Sequence, residues 1–333
     1  MKANLLSTFS LDSLRLTEVP DPTPRADEVL IRVAEAGVNP VDYYTVAGMR
    51  NVSPMPHIPG VEVAGVVERV GEGVMGLSPG DRVIVYPRVF DGTCDLCIAG
   101  HEHLCRNGGI WGVITNGGWA EYAIAREANV MKVPDKVDWD LAASLTVSAL
   151  TPFHAILEAG VTPGDVVVVV GASGNTGQFA VQLAKLMGVR VLAITSKWWV
   201  KDLGADEVSS ASQALEALKR MTGGKLADLV IDSIGRRTLP TSMKLLDRRG
   251  KLVTFGALTG EAMSGSLVDI YSRELRIIGT TGGTRRELSR LLELASRGLL
   301  KVRVWRRMGL PEARQALTLL FSRQRDGRIM LKA

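Results

Sequence analysis

The stretch "DVVVVVGASGNTGQFAVQLAKLMG", residues 165–188, carries the strongest structural signal in the chain. Its run of valines predicts a strand that is buried on both faces. After the turn "GASGNTG", one face of a predicted helix carries Phe179, Leu183, Leu186 and Met187, and Gly188 is placed to end it. A glycine-spaced turn between a strand and a helix is typical of a nucleotide phosphate site.

Each glycine of this turn has a predicted task. Gly171 permits the tight turn, Gly174 lets the backbone approach a pyrophosphate, and Gly177 lets the helix pack closely on its strand. The backbone N–H groups of Asn175, Thr176 and Gly177 are predicted to face the phosphates. An ordinary strand-to-helix turn is the alternative. The alternation that follows favours nucleotide binding.

Strands and helices alternate after this turn. The segments "RVLAIT", "DEVSS", "ADLVIDSIG", "KLVTFG" and "LRIIGTT" predict five more strands, with a helix near residues 211–221 and another that ends near "DRRG". Six such strands predict an α/β fold with a doubly wound parallel sheet. Before residue 148, short runs such as "EVLIRVAEAGV" and "VEVAGVVERVG" are separated by turns and favour an antiparallel or barrel-like β domain. We therefore predict domains at 1–147 and 148–281, with 282–333 returning to the first.

The end of the second strand of this alternation predicts the cofactor. NAD-specific folds place an acidic residue there to bind the ribose 2′-hydroxyl. This chain has Thr195, Ser196 and Lys197 instead. A hydroxyl and an ammonium would bind a 2′-phosphate that a carboxylate would repel, so the residues favour NADPH. The alternative is that Lys197 is only a solvated surface lysine.

All three cysteines lie in one loop, "FDGTCDLCIAGHEHLC", residues 90–105. The spacing of Asp91, Cys94, Cys97 and Cys105 suits a closed tetrahedral zinc site, which would be structural because no position stays open for substrate. Two alternatives remain: a redox Cys-x-x-Cys pair, or His101 or His103 as a ligand in place of Asp91.

Composition excludes several classes of protein. An odd number of cysteines and an amino terminus without a long apolar stretch argue against a secreted disulfide framework. The longest apolar runs have strand length, so no membrane span is expected. The 40 basic and 35 acidic residues are interspersed and give a formal charge of +5, which does not indicate nucleic-acid binding. We expect a cytoplasmic protein, and sparse Asn and Gln hint at a thermophile.

Taken together, these segments resemble the medium-chain dehydrogenase/reductase superfamily, over nearly the whole chain. Further matches are "PGVEVAGVVERVG", "GDRV", "GGWAEYA", "AASLTVSALTPFHAI" and "LGADEV". The resemblance implies a GroES-like catalytic domain interrupted by a Rossmann domain. It also implies a structural zinc lobe at about residues 88–108 with the pattern Cys-x-x-Cys-x-x-Cys-x7-Cys, here with Asp91 in the first place. The span from Lys197 to Leu203 is shorter than in the family.

Zinc-dependent alcohol dehydrogenases of this superfamily hold a second, catalytic zinc. Where they have Cys in "CGSD", His in "GHE" and Cys in "LTC", this chain has Asn39, Val61 and Val147. Valine cannot ligate a metal, and one amide oxygen is a poor zinc ligand. We therefore expect one structural zinc and no catalytic zinc.

The segment "NPVDYY" resembles the zinc-free quinone oxidoreductase branch. That match implies that Asn39 borders the nicotinamide and that Tyr44 donates a hydrogen bond to a developing oxyanion or enolate, with Tyr43 as its rival. Both tyrosines could instead only pack a cleft wall. His57 or His154 could relay a proton.

The resemblance also implies further cofactor contacts. Phe255, Gly256, Ala257, Gly279, Thr280 and Thr281 match stretches that flank the nicotinamide, and Arg328 matches a residue that reaches the pyrophosphate in some zinc-dependent members. Family precedent and the strand "LRIIGTT" at the expected sheet edge favour a homodimer or homotetramer.

Three functional hypotheses follow. The first is an NADPH-dependent reductase that transfers hydride to a quinone, an enone or a hydrophobic activated ketone. The second is an alcohol/ketone dehydrogenase with weak activity on ordinary alcohols. The third is an NADPH-binding protein without turnover.

Overall fold

A computed structural model describes all 333 residues, and the chain forms two compact units. The first unit contains residues 1–147 and 284–333, and the second contains residues 148–283. The sequence places the second boundary after residue 281, and in the structure it follows residue 283.

The amino-terminal part of the first unit is built mostly from short strands. They are β1 (Lys2–Leu6), β2 (Leu14–Glu18), β3 (Glu28–Gly37), β4 (Val63–Val70), β5 (Arg82–Val85), β6 (Arg88–Val89), β7 (Gly109–Ile110), β8 (Tyr122–Arg126) and β9 (Val130–Lys132). Three helices accompany them: α1 (Pro40–Val46), α2 (Asp95–Ile98) and α3 (Trp139–Ser144). The long strand β3 pairs antiparallel with both β4 and β8, so it forms the centre of the sheet.

The second unit has one six-stranded sheet. Its strands are β10 (Val166–Val170), β11 (Arg190–Ile194), β12 (Glu207–Ser209), β13 (Ala227–Ile231), β14 (Leu246–Thr254) and β15 (Arg276–Gly279). Its helices are α4 (Leu150–Ala159), α5 (Gly177–Leu186), α6 (Ala214–Thr222), α7 (Leu239–Lys244) and α8 (Leu267–Ser272). The strand order is β12-β11-β10-β13-β14-β15, and every pairing is parallel. This confirms the predicted doubly wound sheet.

The valine run forms the centre of that sheet, as its composition predicts. All five residues of β10 are buried, between β11 and β13. On α5, Phe179 and Leu183 are fully buried, but Leu186 is 42% exposed. The predicted apolar face is therefore wrong at Leu186, because the helix ends there and its last turn leaves the core.

The helix predicted to end near "DRRG" ends shortly before it. Helix α7 stops at Lys244, and the residues of "DRRG", 247–250, belong to β14. Strand β14 is parallel to β13 and places Leu252 beside Val230, where both are buried. The four residues themselves form an irregularity in this pairing, because the register passes from Leu246 opposite Ala227 to Lys251 opposite Leu229, and Arg249 has φ +62°.

The carboxyl-terminal segment completes the first unit. It forms α9 (Arg285–Ser296), β16 (Val304–Gly309), α10 (Ala313–Leu319) and β17 (Arg328–Lys332). Strand β17 pairs antiparallel with β3, with Met330 opposite Gly37, and parallel with β16. The resulting seven-stranded sheet has the order β16-β17-β3-β4-β5-β9, with β8 also on β3.

One helical stretch, Trp139–Ala159, is long and apolar enough to cross a membrane. Of its most apolar 18-residue window, 83% is buried inside the protein. Such burial is typical of a core helix rather than of a membrane span.

Candidate functional site

The glycine-rich turn joins β10 to α5 with almost no space between them. A Cβ atom on Gly177 would lie 2.3 Å from the carbonyl oxygen of Gly171, so a side chain there would collide with backbone. Gly171 itself has φ +69°, a left-handed conformation that glycine adopts without strain. The turn therefore brings the first N–H groups of α5, including those near Asn175 and Thr176, to the carboxyl edge of the sheet. The first N–H groups of a helix can hold phosphate oxygens.

The turn is tied to the end of the neighbouring strand β11. The hydroxyl of Thr195 donates to Ser173 Oγ at 2.8 Å, and the backbone N–H of Lys197 donates to Thr195 Oγ1 at 3.1 Å. Ser196 is exposed and Lys197 is half-buried. The three residues predicted to select the cofactor therefore lie beside the glycine-rich turn. None of them is acidic.

The segments predicted to flank the nicotinamide follow β14 and β15, at the same edge of the sheet. Phe255 and Gly256 come directly after β14, and the N–H of Thr280, after β15, donates to Thr254 O at 3.0 Å. The hydroxyl oxygen of Thr280 is buried and has no hydrogen-bond partner within the chain. An orphaned hydroxyl at this edge, together with the glycine-rich turn, fits a bound dinucleotide. Ala257, Gly279 and Thr281 belong to the same two segments.

Sequence patterns did not reveal Asp232, which organises the loop after β13. This fully buried carboxylate accepts hydrogen bonds from the N–H groups of Ile234 and Gly235 and from the hydroxyls of Thr238 and Ser242. Four donors compensate for the burial of the charge. The only signal in the sequence is the place of Asp232 after an apolar run.

The cysteine loop of the first unit brings four possible metal ligands together. One ligand atom from each of Asp91, Cys94, Cys97 and Cys105 lies within 4.8 Å of the others. The sulfur atoms of Cys94 and Cys105 are 3.9 Å apart, which is too far for a disulfide. It is close to the roughly 3.8 Å expected between two thiolates that share a tetrahedral zinc ion. His101 and His103 do not belong to this group.

Hydrogen bonds prepare Asp91 as a ligand. The N–H groups of Cys94 and Thr93 donate to its Oδ1 at 3.0 and 2.8 Å, and the Asn107 side-chain amide donates to Oδ2 at 2.7 Å. These bonds hold the pKa of Asp91 well below its usual range. Hydrogen bonds from backbone N–H groups, chiefly the N–H of Arg106, also lower the pKa of Cys94. Desolvation by burial raises the pKa of Cys97.

The cysteine loop is anchored to the returning part of the chain. Glu102 Oε1 accepts a hydrogen bond of 2.6 Å from the N–H of Arg285, the first residue of α9. The Arg285 guanidinium lies 5.8 Å from the centre of the Phe90 ring. A metal bound in this loop would therefore stabilise a connection between distant parts of the chain.

Two of the three positions that lack catalytic zinc ligands are joined by a buried carboxylate. Asp42 Oδ2 accepts from the N–H of Asn39 at 2.8 Å, and its Oδ1 accepts from the N–H of Val61 at 3.1 Å. Burial raises the pKa of Asp42 to about 8, and the two N–H donors oppose this rise. Asn39 and Val61 are buried, and Val147 is half-buried in a π-helical turn. No group of three or more His, Cys, Asp or Glu side chains forms around these positions.

A buried ion pair lies next to this carboxylate. The Arg328 guanidinium donates to Glu62 Oε2, and both side chains are 0% exposed. A Cβ on Gly37 would lie 2.0 Å from Glu62 Oε2 and 2.5 Å from Arg328 Nη2, so only glycine fits beside the pair. The structure thus gives Arg328 a partner within the first unit that the sequence did not suggest. Its contact with a cofactor phosphate stays a prediction.

The candidate proton donors have different surroundings. Tyr43 packs on the core and makes an edge contact with Phe321 at 4.9 Å between ring centres. Tyr44 is half-buried, with the Arg50 guanidinium 5.9 Å from its ring centre. Tyr43 therefore has a packing role, which leaves Tyr44 as the better candidate. His154 is 5% exposed.

The proton relay of His57 stays a prediction, and the surroundings of this side chain favour a structural role. Its side chain is 0% exposed, and its Nε2 lies 2.9 Å from the carbonyl oxygen of Gly112, to which it donates. Burial lowers the pKa of His57, so the ring stays neutral and fixed. A neutral histidine bonded to backbone and closed to solvent has a structural role.

The second unit has a parallel six-stranded sheet with a phosphate-binding turn, and the first unit carries the cysteine loop. These features define the class of nucleotide-dependent dehydrogenases. Residues 25–135 match the family model "Alcohol dehydrogenase GroES-like domain", and residues 175–297 match "Zinc-binding dehydrogenase". The chain belongs to the medium-chain dehydrogenase/reductase superfamily, as the sequence motifs predict.

Three relatives illustrate the range of this superfamily. A cobalt- and zinc-bound thermostable alcohol dehydrogenase from Pyrobaculum aerophilum is 39% identical, with a TM-score of 0.93 over 100% of this chain and 99% of the other. An NAD-dependent alcohol dehydrogenase from Sulfolobus acidocaldarius is 32% identical over 100% of this chain and 99% of its own length. An acryloyl-coenzyme A reductase from Metallosphaera sedula is 30% identical over 94% of this chain and 95% of its own length. The protein is therefore an oxidoreductase with a nucleotide cofactor, and its family binds zinc.

Replacing Arg328 tests how much the buried ion pair contributes to the free energy of unfolding. Arg328→Met should destabilise the protein by about 3–5 kcal/mol, because it leaves the Glu62 carboxylate buried without its cation. The double variant Glu62→Gln/Arg328→Met should recover part of this loss. Chemical denaturation followed by far-UV circular dichroism measures both.

A matched control is Arg314→Ala, which removes an ion pair with Asp12 whose side chains are 55% and 86% exposed. It should cost less than about 1 kcal/mol. If the two single variants lower the free energy of unfolding equally, the buried Glu62–Arg328 pair contributes no more to stability than an exposed pair.

Proposed function

We propose that this protein is an NADPH-dependent reductase without a catalytic zinc, which transfers hydride to a quinone, an enone or a hydrophobic activated ketone. The observation that carries the proposal is the set of side chains at Asn39, Val61 and Val147, where no zinc site can form. Without a Lewis acid, the acceptor must already be electron-poor, or hydrogen bonds must polarise it. The conjugated thioester named for the acryloyl-coenzyme A reductase is an acceptor of this electron-poor kind.

NADPH supplies the hydride when it is bound. The N–H groups after Gly174 hold its phosphates, and Ser196 and Lys197 bind its 2′-phosphate. The segments that follow β14 and β15 would hold the nicotinamide, and the Thr280 hydroxyl there would be available as a donor or acceptor. Tyr44 donates a hydrogen bond to the oxygen of the acceptor as negative charge develops there.

An alcohol/ketone dehydrogenase is the second candidate. It is supported by the retained cysteine loop and by the names of the Pyrobaculum and Sulfolobus relatives. The name of the Sulfolobus relative, an NAD-dependent enzyme, also favours the other cofactor. Against this candidate stand the valines at positions 61 and 147, which remove two of the three ligands that polarise an alcohol oxygen in zinc-dependent members.

We also propose that the chain forms a homodimer, or a tetramer built from dimers. Strand β15 is an edge of the six-stranded sheet, with Ile277 40% exposed. The preceding helix α8 exposes Leu267, Val268 and Tyr271 by 75%, 57% and 69%. An open strand edge beside apolar side chains is a typical pairing surface. Sedimentation velocity should show a dimer or larger species, and a monomer at micromolar concentration would reject the proposal.

A panel of acceptors tests the proposed reaction. With NADPH, the purified protein should reduce quinones and enones faster than aromatic ketones, and it should oxidise simple alcohols poorly, since no metal polarises their oxygen. Initial rates of NADPH absorbance change measure this. Fast ethanol oxidation would overturn the zinc-free assignment, and binding of NADPH without turnover of any acceptor would indicate a non-catalytic protein.

The same assay with Ser196→Asp tests the cofactor. A carboxylate at this position should lower kcat/KM for NADPH by about tenfold or more, because a charge-assisted hydrogen bond worth about 1.5–3 kcal/mol becomes a repulsion. The value for NADH should rise. A ratio of the two values that does not change would reject the role of Ser196.

Metal content tests the assignment of zinc. We expect one zinc atom per chain by elemental analysis, held by Asp91, Cys94, Cys97 and Cys105, and a lower thermal midpoint after chelation. Asp91→Ala should lose the metal. Asp91→Cys should retain it, since the variant restores the four-cysteine pattern of the family. Two zinc atoms per chain would instead point to a second, catalytic site.

A further inference from the structure

Trp198 is a large aromatic residue on the surface without a packing role. Its side chain is 69% exposed, and it is the only one of the six tryptophans among the exposed large hydrophobic residues. Trp119 and Trp111, by contrast, are buried at 0% and 3% exposure. Tryptophan is highly buried on average, so an indole with this exposure is free to cover a ligand.

The local backbone fixes where Trp198 lies. It is the first residue of a 3₁₀ helix, Trp198–Leu203, that follows β11 after a short link. Val200 is fully buried, and a Cβ on Gly204, just after the helix, would lie 3.1 Å from Lys185 Cγ of α5. The turn is therefore packed against α5 on one side, and Trp198 extends from a fixed position rather than from a loose loop.

This position is next to the phosphate-binding turn. Thr195 is hydrogen-bonded to Ser173 of that turn, and Trp198 follows Thr195 by three residues. Three residues span at most about 11 Å between Cα atoms. In dinucleotide-binding folds, the end of the second strand binds the adenosine ribose, so the adenine ring lies just beyond it. The 3₁₀ helix that begins at Trp198 therefore starts near the expected place of the adenine.

We propose that the indole of Trp198 stacks on the adenine ring of the bound dinucleotide. Adenine presents a π-face that an exposed aromatic side chain can cover, and such stacking is a general mode of base recognition. The proposal rests on the nucleotide-binding role of the second unit. It is independent of the choice between NADPH and NADH, because both carry the same adenine.

The test is a titration of the full-length protein with ADP-ribose, which carries no 2′-phosphate, followed by tryptophan fluorescence and by calorimetry. This probe contains adenine and lacks nicotinamide, so nicotinamide cannot accept excitation energy. The wild-type protein should show quenching, whereas nicotinamide mononucleotide should cause none. Trp198→Phe should abolish the quenching and keep Kd within about threefold, since phenylalanine still stacks. Trp198→Ala should raise Kd about tenfold, equal to about 1.4 kcal/mol.

Trp305→Phe is the matched control, because Trp305 is half-buried in the first unit, with Arg306 4.6 Å from its ring centre. This variant should retain the quenching. Thermal midpoints of the Trp198 variants should equal that of the wild type, which separates binding from folding. An unchanged Kd in Trp198→Ala, or quenching that persists in Trp198→Phe, would overturn the stacking.

The two proposals fail separately. If NADH binds more tightly than NADPH and the quenching still depends on Trp198, the stacking stands and the proposed cofactor preference falls. If NADPH is preferred and the affinity of Trp198→Ala equals that of the wild type, the stacking falls and the cofactor preference stands.

Discussion

The ion pair between Glu62 and Arg328 is the constraint that holds the first unit together. Its partners are 266 residues apart, and the whole second unit lies between them in the chain. Two charges buried without water are costly unless they are paired with good geometry, so only one register of β17 on β3 satisfies both. Gly37, at the end of β3, leaves the space that the pair occupies. The returning segment therefore completes the first unit by a specific charge contact as well as by strand pairing.

The same buried region explains how the site can lack metal ligands and still be ordered. Asp42 accepts hydrogen bonds from the backbone at Asn39 and Val61, so it joins the two segments that carry ligands in zinc-dependent members. These contacts use backbone N–H groups and do not depend on the side chains at the two positions. Loss of the ligand side chains could thus occur without loss of the local fold. In the proposed reaction, the chemistry depends on the acceptor and on hydrogen-bond donors such as Tyr44.

The second unit shows how well local patterns predict structure. The strand β10, the glycine-rich turn and α5 follow one another in sequence, and their interactions span few residues. Gly177 and Gly171 are in contact because of local chain geometry, so spacing alone could predict it. Distant contacts decide the features that local patterns do not reveal. Arg328 is paired because β17 returns to the first unit, and His57 is buried because β1 and the Gly112 segment enclose it.

The sequence by itself determined the alternation of strands and helices, the phosphate-binding turn, the four candidate ligands of the cysteine loop and the absence of ligand side chains at Asn39, Val61 and Val147. Each of these depends on residue type and on spacing within a short stretch. Only the tertiary structure decided that Arg328 pairs with Glu62, that Asp42 bridges two segments, that His57 is enclosed and that Trp198 is exposed. These features depend on which distant groups meet and on which surfaces stay uncovered. Periodicity and local spacing do not encode either property.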